Sequence, residues 1–295
     1  MPRIVSLLPA ATDIVAALGR SSDLVGVTWE CTIPAGAPSD VHVVTRDLLA
    51  VDDPSDPAAV DAAVQAASGA RQPLAAIDDE AVALIAPEVV LTQDLCRVCA
   101  LPAGQATEAL DRLGCRDARV VSLDPLTLAD VLASITAVGD GIGAAAEAAE
   151  LVADLQARVA ALPGRRPGAD LSAVVVEWVD PLFVGGHWIP DLVEAAGARC
   201  ALGTPGGRSA AISWDEVSSL DLDHVVVAPC GFDLDGAARQ AEQVLDRVPA
   251  GAAVWAIDAD QIIVRPGPRL VEGAEVLAAA FAGEQTDPTL IRRIR

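Results

Sequence analysis

Four cysteines each follow an apolar run that is typical of a β-strand. Cys31 ends the run DLVGVTWEC, Cys96 and Cys99 end EVVLTQDLCRVC, and Cys230 ends HVVVAPC. Because ligands of α/β proteins bind outside the carboxyl ends of the strands, we expect these thiols to lie near a binding site. Thiolates favour zinc or iron–sulfur clusters, and four ligands are the usual complement. The pattern predicts a metal site on the four cysteines; packed thiols and a Cys96–Cys99 redox pair are the alternatives.

A second cluster of unusual residues lies in the segments 177–181 (EWVDP) and 185–190 (GGHWIP). A strand is predicted to end at Val179, and the last proline suits the first turn of a helix. His187 and Trp188 would then project from the start of that helix toward the same edge as the thiols. His187 is a candidate metal ligand, or a group that hydrogen-bonds a ligand. The alternative is that His187 caps the helix and Trp188 packs in the core.

Aromatic and arginine side chains supply the remaining candidates for ligand contacts. The chain has five Trp, three Phe and no Tyr. We expect Trp29, Trp188 and Phe232 to make apolar contacts with a ligand, and Trp178 is a further candidate ligand-binding residue. Arg265 and Arg269 flank the turn RPGPR, and we expect them to bind a ligand anion or a carboxylate of the following helix.

Two further cysteines are predicted to be structural. Cys115 and Cys200 come just after predicted helices, where small apolar residues are common. Of the three histidines, His224 precedes a run typical of a buried strand and is also predicted to be structural. No catalytic residue is assigned.

The elements that position these residues alternate between short apolar runs and amphipathic segments. This alternation predicts an α/β fold with parallel sheets covered by helices. Strands are predicted at residues 3–8, 23–29, 88–93, 119–123, 172–179 and 223–229, with a pair of strands within 252–264. Helices are predicted at residues 9–18, 57–68, 78–85, 104–113, 188–197, 213–219, 234–247 and 269–282, and the tail from Gly283 is expected to fray.

Residues 127–162 are helical in period and contain no proline. A single helix of this length would measure about 50 Å, which suits a strut between two lobes. We therefore predict two Rossmann-like α/β lobes, at 1–126 and 163–295, joined by one connecting helix over 127–162. The GxGxxA sequence that begins at Gly141 does not follow a strand. It is interpreted as a chance match or a helix kink rather than a dinucleotide site.

Charge and hydropathy exclude several classes of partner. The net charge of −22 argues against nucleic acid and anionic membranes. No apolar run reaches the roughly 18 residues of a membrane span, so no membrane insertion is expected. The first apolar stretch, residues 4–18, is interrupted by Pro9 and Asp13, which favours a strand, a turn and a helix over an export signal. We therefore expect a cytoplasmic protein with reduced thiols.

Several motifs resemble those of a known family. RIVSLLPAATDIVAALG, LVGVTWEC, VVLTQDLC and VVSLDP resemble the first lobe of the helical-backbone (class III) substrate-binding proteins of ABC importers, which handle cobalamin, haem and ferric siderophores. EWVDP, GGHWIPDLVEAAG, APCGF and RPGPRLVEG resemble a signal-less branch that is labelled cobalamin-binding protein. The similarity extends over nearly the whole chain. It implies two α/β lobes, a rigid connecting helix and a ligand in the cleft between the lobes.

These observations leave three hypotheses. The first is a cytoplasmic, non-enzymatic binding protein that holds a cobalamin-type corrinoid or another metal cofactor in the cleft. The second is a zinc or iron–sulfur protein that uses Cys31, Cys96, Cys99 and Cys230, for which a catalytic role stays open. The third is an interaction or sensor protein with an empty cleft. An ABC importer, the usual partner of the family, is not expected because the export signal is missing.

Overall fold

The computed structural model describes residues 1–70, 72–93, 103–113, 115–164 and 171–295. The chain divides into two units, each of which combines helices with a sheet. Unit 1 comprises Met1–Asp53, Ala62–Pro125 and Leu132–Asp154. Unit 2 comprises Pro54–Asp61, Leu126–Val131 and Leu155–Arg295. The predicted α/β class is confirmed.

Most strands are short and rich in β-branched residues, as parallel strands buried on both faces usually are. Those of the described residues are β1 (Ile4–Ser6), β2 (Leu24–Val27), β3 (His42–Val43), β4 (Thr45–Asp47), β5 (Ala75–Ile77), β6 (Val89–Thr92), β7 (Arg119–Ser122), β8 (Ser172–Val179), β9 (Leu182–Val184), β10 (Arg199–Cys200), β11 (Ala210–Ala211), β12 (His224–Val227), β13 (Ala253–Ile257) and β14 (Ile291–Arg293).

Most helices of the described residues begin close to the residues that the sequence predicts, and α6 and α10 are the exceptions. They are α1 (Pro9–Ala17), α2 (Pro57–Gly69), α3 (Asp79–Ile85), α4 (Ala103–Arg112), α5 (Leu128–Ile142), α6 (Ala145–Ala161), α7 (Ile189–Ala195), α8 (Trp214–Ser218), α9 (Leu234–Gln243), α10 (Ala259–Ile262) and α11 (Leu270–Ala282).

The sheet of unit 1 is parallel and has the strand order β3-β2-β1-β6-β7. From β1 the chain passes through α1 to β2 on one side, and from β6 it passes through α4 to β7 on the other. The crossover direction therefore reverses between β1 and β6. Open α/β sheets bind their ligands outside the carboxyl ends of the strands at such a switch point.

The sheet of unit 2 has a second switch point, between β8 and β12. Strands β8, β12 and β13 are parallel, with Val176 opposite Val227 and Val227 opposite Ala256. β9 and β10 pair with the edge of β8 that β12 leaves open, and α7 leads to β10. On the other side, α9 leads from β12 to β13. The core of this unit consists of buried side chains from these strands and from α9.

The single helix predicted over residues 127–162 is two helices in the structure. Gly143, with φ 74°, lies between α5 and α6, so it is in the left-handed region where glycine is favoured. A side chain at Gly139 would overlap Ala148, so the missing Cβ allows the two helices to approach. A turn at a glycine without proline is hard to distinguish from a continuous helix by period alone.

Two further predictions near the end of the chain were wrong. The segment 252–264 forms one strand, β13, followed by α10, because the Asp258 carboxylate caps that helix by accepting from the Gln261 backbone N–H at 3.0 Å. The tail after Gly283 does not fray throughout, since β14 pairs antiparallel with β13 and places Ile291 opposite Ile257.

Candidate functional site

An aromatic pair occupies the switch point of the unit 2 sheet. Trp178 is the penultimate residue of β8, and the centroid of its ring lies 5.7 Å from that of Phe232, with the planes inclined by 58°. Both residues are half-buried. The Cys230 backbone N–H donates to the Glu177 carbonyl at 3.2 Å and holds the loop after β12 against the end of β8. The site therefore presents two partly exposed aromatic faces where ligands of such sheets bind.

Hydrogen bonds fix the position of the Trp178 ring. Its indole N–H donates to the Asp180 carbonyl at 3.1 Å and to the Pro57 carbonyl, at the start of α2, at 3.2 Å. Sharing one donor between two carbonyls ties the ring both to its own strand end and to the segment Pro54–Asp61. The apolar face of the indole stays available for contact while its polar edge is satisfied.

The loop that carries Phe232 is built from a glycine turn and a helix cap. Gly231 has φ 80°, and the Phe232 N–H donates to the Pro229 carbonyl at 3.2 Å. Asp233 caps α9 by accepting from the Gly236 N–H at 2.8 Å. These contacts hold Phe232 directly before a helix and opposite the ring of Trp178.

The sequence predicts that His187 lies just beyond the carboxyl end of β8, but the chain takes a different path to this residue. The chain turns back at Asp180–Pro181 and forms β9 antiparallel to β8, and the Gly185 N–H then donates to the Val175 carbonyl at 2.9 Å. His187 itself is half-buried and has φ 51°. Burial lowers the pKa of its imidazole, and the nearby charge of Arg208 lowers the pKa further.

Trp188 belongs to the core rather than to a ligand surface, which corrects the prediction for this residue. It is 5% exposed, and its indole N–H donates to the Ile263 carbonyl at 2.9 Å within the protein. The packing alternative for Trp188 is the correct one. Its neighbour His187 lies with its ring centroid 5.7 Å away.

The two arginines of the RPGPR turn are engaged with acidic side chains. Arg265 forms a bidentate ion pair with Asp260. Arg269 donates to the Glu272 carboxylate at 2.8 Å and to the Gln261 side-chain carbonyl at 2.7 Å. The carboxylate alternative is therefore confirmed for Arg269, on the following helix. Arg265 pairs with an acid of the preceding helix α10.

Trp29 lies in unit 1, two residues beyond the end of β2. It is 42% exposed, and its backbone N–H donates to the Thr45 hydroxyl at 3.2 Å. An exposed indole beside a strand end retains the features expected of a ligand contact, and this role stays a prediction.

The structure describes only two of the four cysteines of the predicted metal site, Cys31 and Cys230. Cys96 and Cys99 lie outside the described residues. Cys31 is half-buried with its sulfur 3.0 Å from the Thr12 hydroxyl, and Cys230 is exposed. Among the described residues, no group of three or more His, Cys, Asp and Glu side chains could hold a metal ion. Convergence of the four thiols stays a prediction.

The other two cysteines are structural, as predicted. Burial raises the pKa of the Cys200 thiol to about 11, and the thiol donates to the Leu202 carbonyl at 2.8 Å. Cys115 packs against the apolar cluster of unit 1. His224 is buried too; its Nδ1 accepts from the Trp255 indole N–H at 3.2 Å.

Sequence reasoning missed two residues at the aromatic site. Pro57 is buried and its carbonyl accepts from the Trp178 indole N–H, whereas the sequence predicted only that a helix begins there. Trp214 donates its indole N–H to the Val179 carbonyl at 3.2 Å and so braces the end of β8. Only the long-range pairing of β9 and β11 brings Trp214 there, and no local pattern reports such pairing.

The family pattern described as periplasmic binding protein matches residues 4–268. The chain belongs to the periplasmic binding protein family. Its resemblance to the class III substrate-binding proteins is thereby confirmed. No curated protein sequence matches the chain. In the described part of the chain, no helix combines the length and apolar character needed to cross a membrane.

Solved structures of the family share the fold over nearly their whole length. A periplasmic heme binding protein from Pseudomonas aeruginosa is 20% identical with a TM-score of 0.65, covering 99% of this chain and 98% of that one. A possible iron-binding protein from Staphylococcus epidermidis is 17% identical with a TM-score of 0.65, at 94% and 96% coverage. A periplasmic vitamin B12 binding protein of Vibrio cholerae is 17% identical with a TM-score of 0.58, at 95% and 96% coverage.

Proposed function

We propose that this binding protein takes a cobalamin-type corrinoid as its ligand and contacts the macrocycle through Trp178 and Phe232. The aromatic pair at the β8–β12 switch point is the observation that carries the proposal. Flat, largely apolar macrocycles gain most from aromatic faces, because stacking combines dispersion with burial of apolar surface. Family membership makes a small ligand the expected cargo, and one relative of the same fold is described as a vitamin B12 binding protein.

The charge of the chain favours a corrinoid over haem or a ferric siderophore. Haem carries two propionates and many ferric siderophores are anionic, whereas the periphery of cobalamin consists of neutral amides. A chain with net charge −22 repels anions over the range of its field. The partly exposed arginines of the RPGPR turn are already paired with carboxylates, so they offer little compensation.

Axial ligation places different demands on the protein for the two macrocycles. Protein-bound haem iron is held by His, Cys, Met or Tyr. The chain has no Tyr, its only Met is the 92% exposed Met1, and His224 is buried with its Nδ1 occupied by Trp255, so His42, His187 and the cysteines are the remaining candidates. Cobalamin brings its own lower axial base, so a site formed by the aromatic pair alone is compatible with a corrinoid.

Equilibrium dialysis of the full chain against cyanocobalamin, hemin and a ferric siderophore tests the proposal. We expect retention of cyanocobalamin and much weaker retention of the two anionic ligands at low ionic strength. Retention of hemin alone would replace the corrinoid by haem. Retention of none of them would overturn the assignment of a metal-bearing macrocycle.

A further inference from the structure

We propose that His224 is a pH sensor for the strand β14 of unit 2: when its imidazole takes up a proton, β14 loosens from the edge of β13. The inference does not rest on the proposed function, because none of the residues involved belongs to the aromatic pair. It concerns how the edge of the unit 2 sheet responds to acid.

A row of three side chains crosses the sheet from β12 to β14. His224 lies opposite Ala253 of β13, and Trp255 follows two residues later, so the histidine and tryptophan side chains are on the same face. Arg293 of β14 is paired with Trp255. The Arg293 guanidinium carbon lies 5.7 Å from the centroid of the indole, over the ring. Trp255 therefore contacts both the histidine and the arginine.

The contact between His224 and Trp255 requires a neutral imidazole. Its Nδ1 accepts from the Trp255 indole N–H at 3.2 Å, and an imidazolium has no nitrogen left to accept. Both residues are buried, and the Phe281 ring of α11 lies 4.6 Å from the imidazole, centroid to centroid. Because water has little access, protonation leaves the indole N–H without an acceptor. Such a loss favours a shift of Trp255 and of the arginine that rests on it.

The charges around His224 link its proton to β14. Burial lowers the pKa of His224, Arg293 lowers it further, and Asp223, the preceding residue, raises it. The helix α11 contributes the uncharged ring of Phe281. Loosening β14 takes the Arg293 charge away from the imidazole, so the loosened state binds the proton more tightly. By linkage, the proton then favours the loosened state as the pH falls below 6.5.

Loosening would uncover the backbone of β13. The Asp258 N–H donates to the Leu290 carbonyl at 2.8 Å, and the Ile294 N–H donates to the Val254 carbonyl at 2.8 Å. Among the described residues, β14 is the last strand on this side of the sheet. Without it, β13 becomes an edge whose free N–H and carbonyl groups can pair with another strand.

The chain offers a matched control in Arg292, the neighbour of Arg293 in β14. It is paired with Ala256, so it lies on the opposite face of the sheet, and it donates to the Asp235 carboxylate of α9 at 2.9 Å. Replacing it by glutamine removes a contact that holds β14 but leaves the His224 row intact.

The experiment is amide hydrogen exchange of the full chain at several pH values, corrected for the intrinsic rate at each pH. Mass spectrometry of peptides reports residues 290–295 and, for global unfolding, β8. We expect residues 290–295 to exchange faster than β8, and their protection to fall about tenfold between about pH 7.5 and 5.5, since a hydrogen bond is lost and a like charge appears near Arg293.

The variants separate the sensor from a general loss of stability. His224→Asn keeps a neutral acceptor in place of Nδ1, so the protection of residues 290–295 should no longer depend on pH. Arg292→Gln should lower this protection at every pH and keep its fall in acid. Arg293→Gln should lower it and flatten the fall. The pKa of His224, followed by NMR, should rise in Arg293→Gln and stay unchanged in Arg292→Gln.

Two results would overturn the proposal. One is protection of residues 290–295 that does not change with pH while that of β8 falls, because His224 would then take up its proton only on unfolding. The other is an undiminished fall in His224→Asn, with His224→Gln as the second variant if the asparagine variant does not fold.

Discussion

Replacing Trp178 by alanine removes one aromatic face of the proposed site and should weaken corrinoid binding strongly. The indole is half-buried and lies 5.7 Å from Phe232, centroid to centroid. Stacking of a flat ring system on an aromatic side chain contributes about 1–3 kcal/mol, as base stacking shows. We therefore expect the dissociation constant of cyanocobalamin to rise about 5- to 150-fold.

A second substitution separates the ring from its hydrogen bonds. Trp178→Phe keeps an aromatic face but loses the N–H that donates to the Asp180 and Pro57 carbonyls. Its affinity should lie between those of the wild type and the alanine variant. The assay is isothermal titration with cyanocobalamin, with a urea unfolding curve for each variant.

Trp188→Phe is the matched control, because this tryptophan is buried in the same unit. The change leaves the Ile263 carbonyl without its donor and should lower the free energy of unfolding by about 1–3 kcal/mol. Ligand affinity of the folded variant should stay at the wild-type level. If Trp188→Phe lost affinity while Trp178→Ala kept it, the aromatic-pair argument would be refuted.

Three predictions concern the fold itself. Burial lowers the pKa of His224 below 6.5, so the unfolded chain binds more protons than the folded chain in acid. The free energy of unfolding should therefore keep its full value above pH 6.5 and fall as the pH drops below it. Urea titrations at several pH values should show this fall, and it should be smaller in His224→Gln. Gly186→Ala would overlap the backbone of Arg208 and Ser209 and should destabilise by about 1–3 kcal/mol in thermal melts, whereas Gly251→Ala, with open space around it, should not. Because the pKa of Cys200 is raised to about 11 and Cys230 is exposed, maleimide at pH 8 should label Cys230 and spare Cys200 by peptide mass spectrometry; equal labelling would contradict the burial of Cys200.

Much of the fold could be predicted because its elements carry strong local patterns. The strand β8 was predicted with both its bounds, 172–179, since its β-branched run is uninterrupted. The helix α1 was predicted from Pro9, which suits a first helical turn. Such elements are set by periodicity and by residues with restricted backbone angles, which a single sequence displays.

The sequence could not predict the positions of His187 and Trp188 or the contact between Trp178 and Phe232, because each depends on pairing between residues that are distant in the chain. β9 is only three residues long, and its pairing with β8 is what makes it a strand. The sequence does not predict this strand, so it does not show that the chain turns back before it reaches His187. The sequence could not show that Trp188 is buried, because the partner of its indole N–H, the Ile263 carbonyl, is 75 residues away in the sequence. The sequence names Trp178 and Phe232 only as separate candidates for ligand contact, because the contact between their rings depends on the order of β8 and β12 in the sheet.

The most direct test of the central claim is an absorbance spectrum of the protein after incubation with cyanocobalamin and gel filtration. We predict that the sharp corrin bands elute with the wild-type chain and are lost from Trp178→Ala, which should still unfold cooperatively. A wild-type protein that elutes without corrin bands, or that purifies without oxygen with the broad absorbance of an iron–sulfur cluster, would contradict the corrinoid assignment.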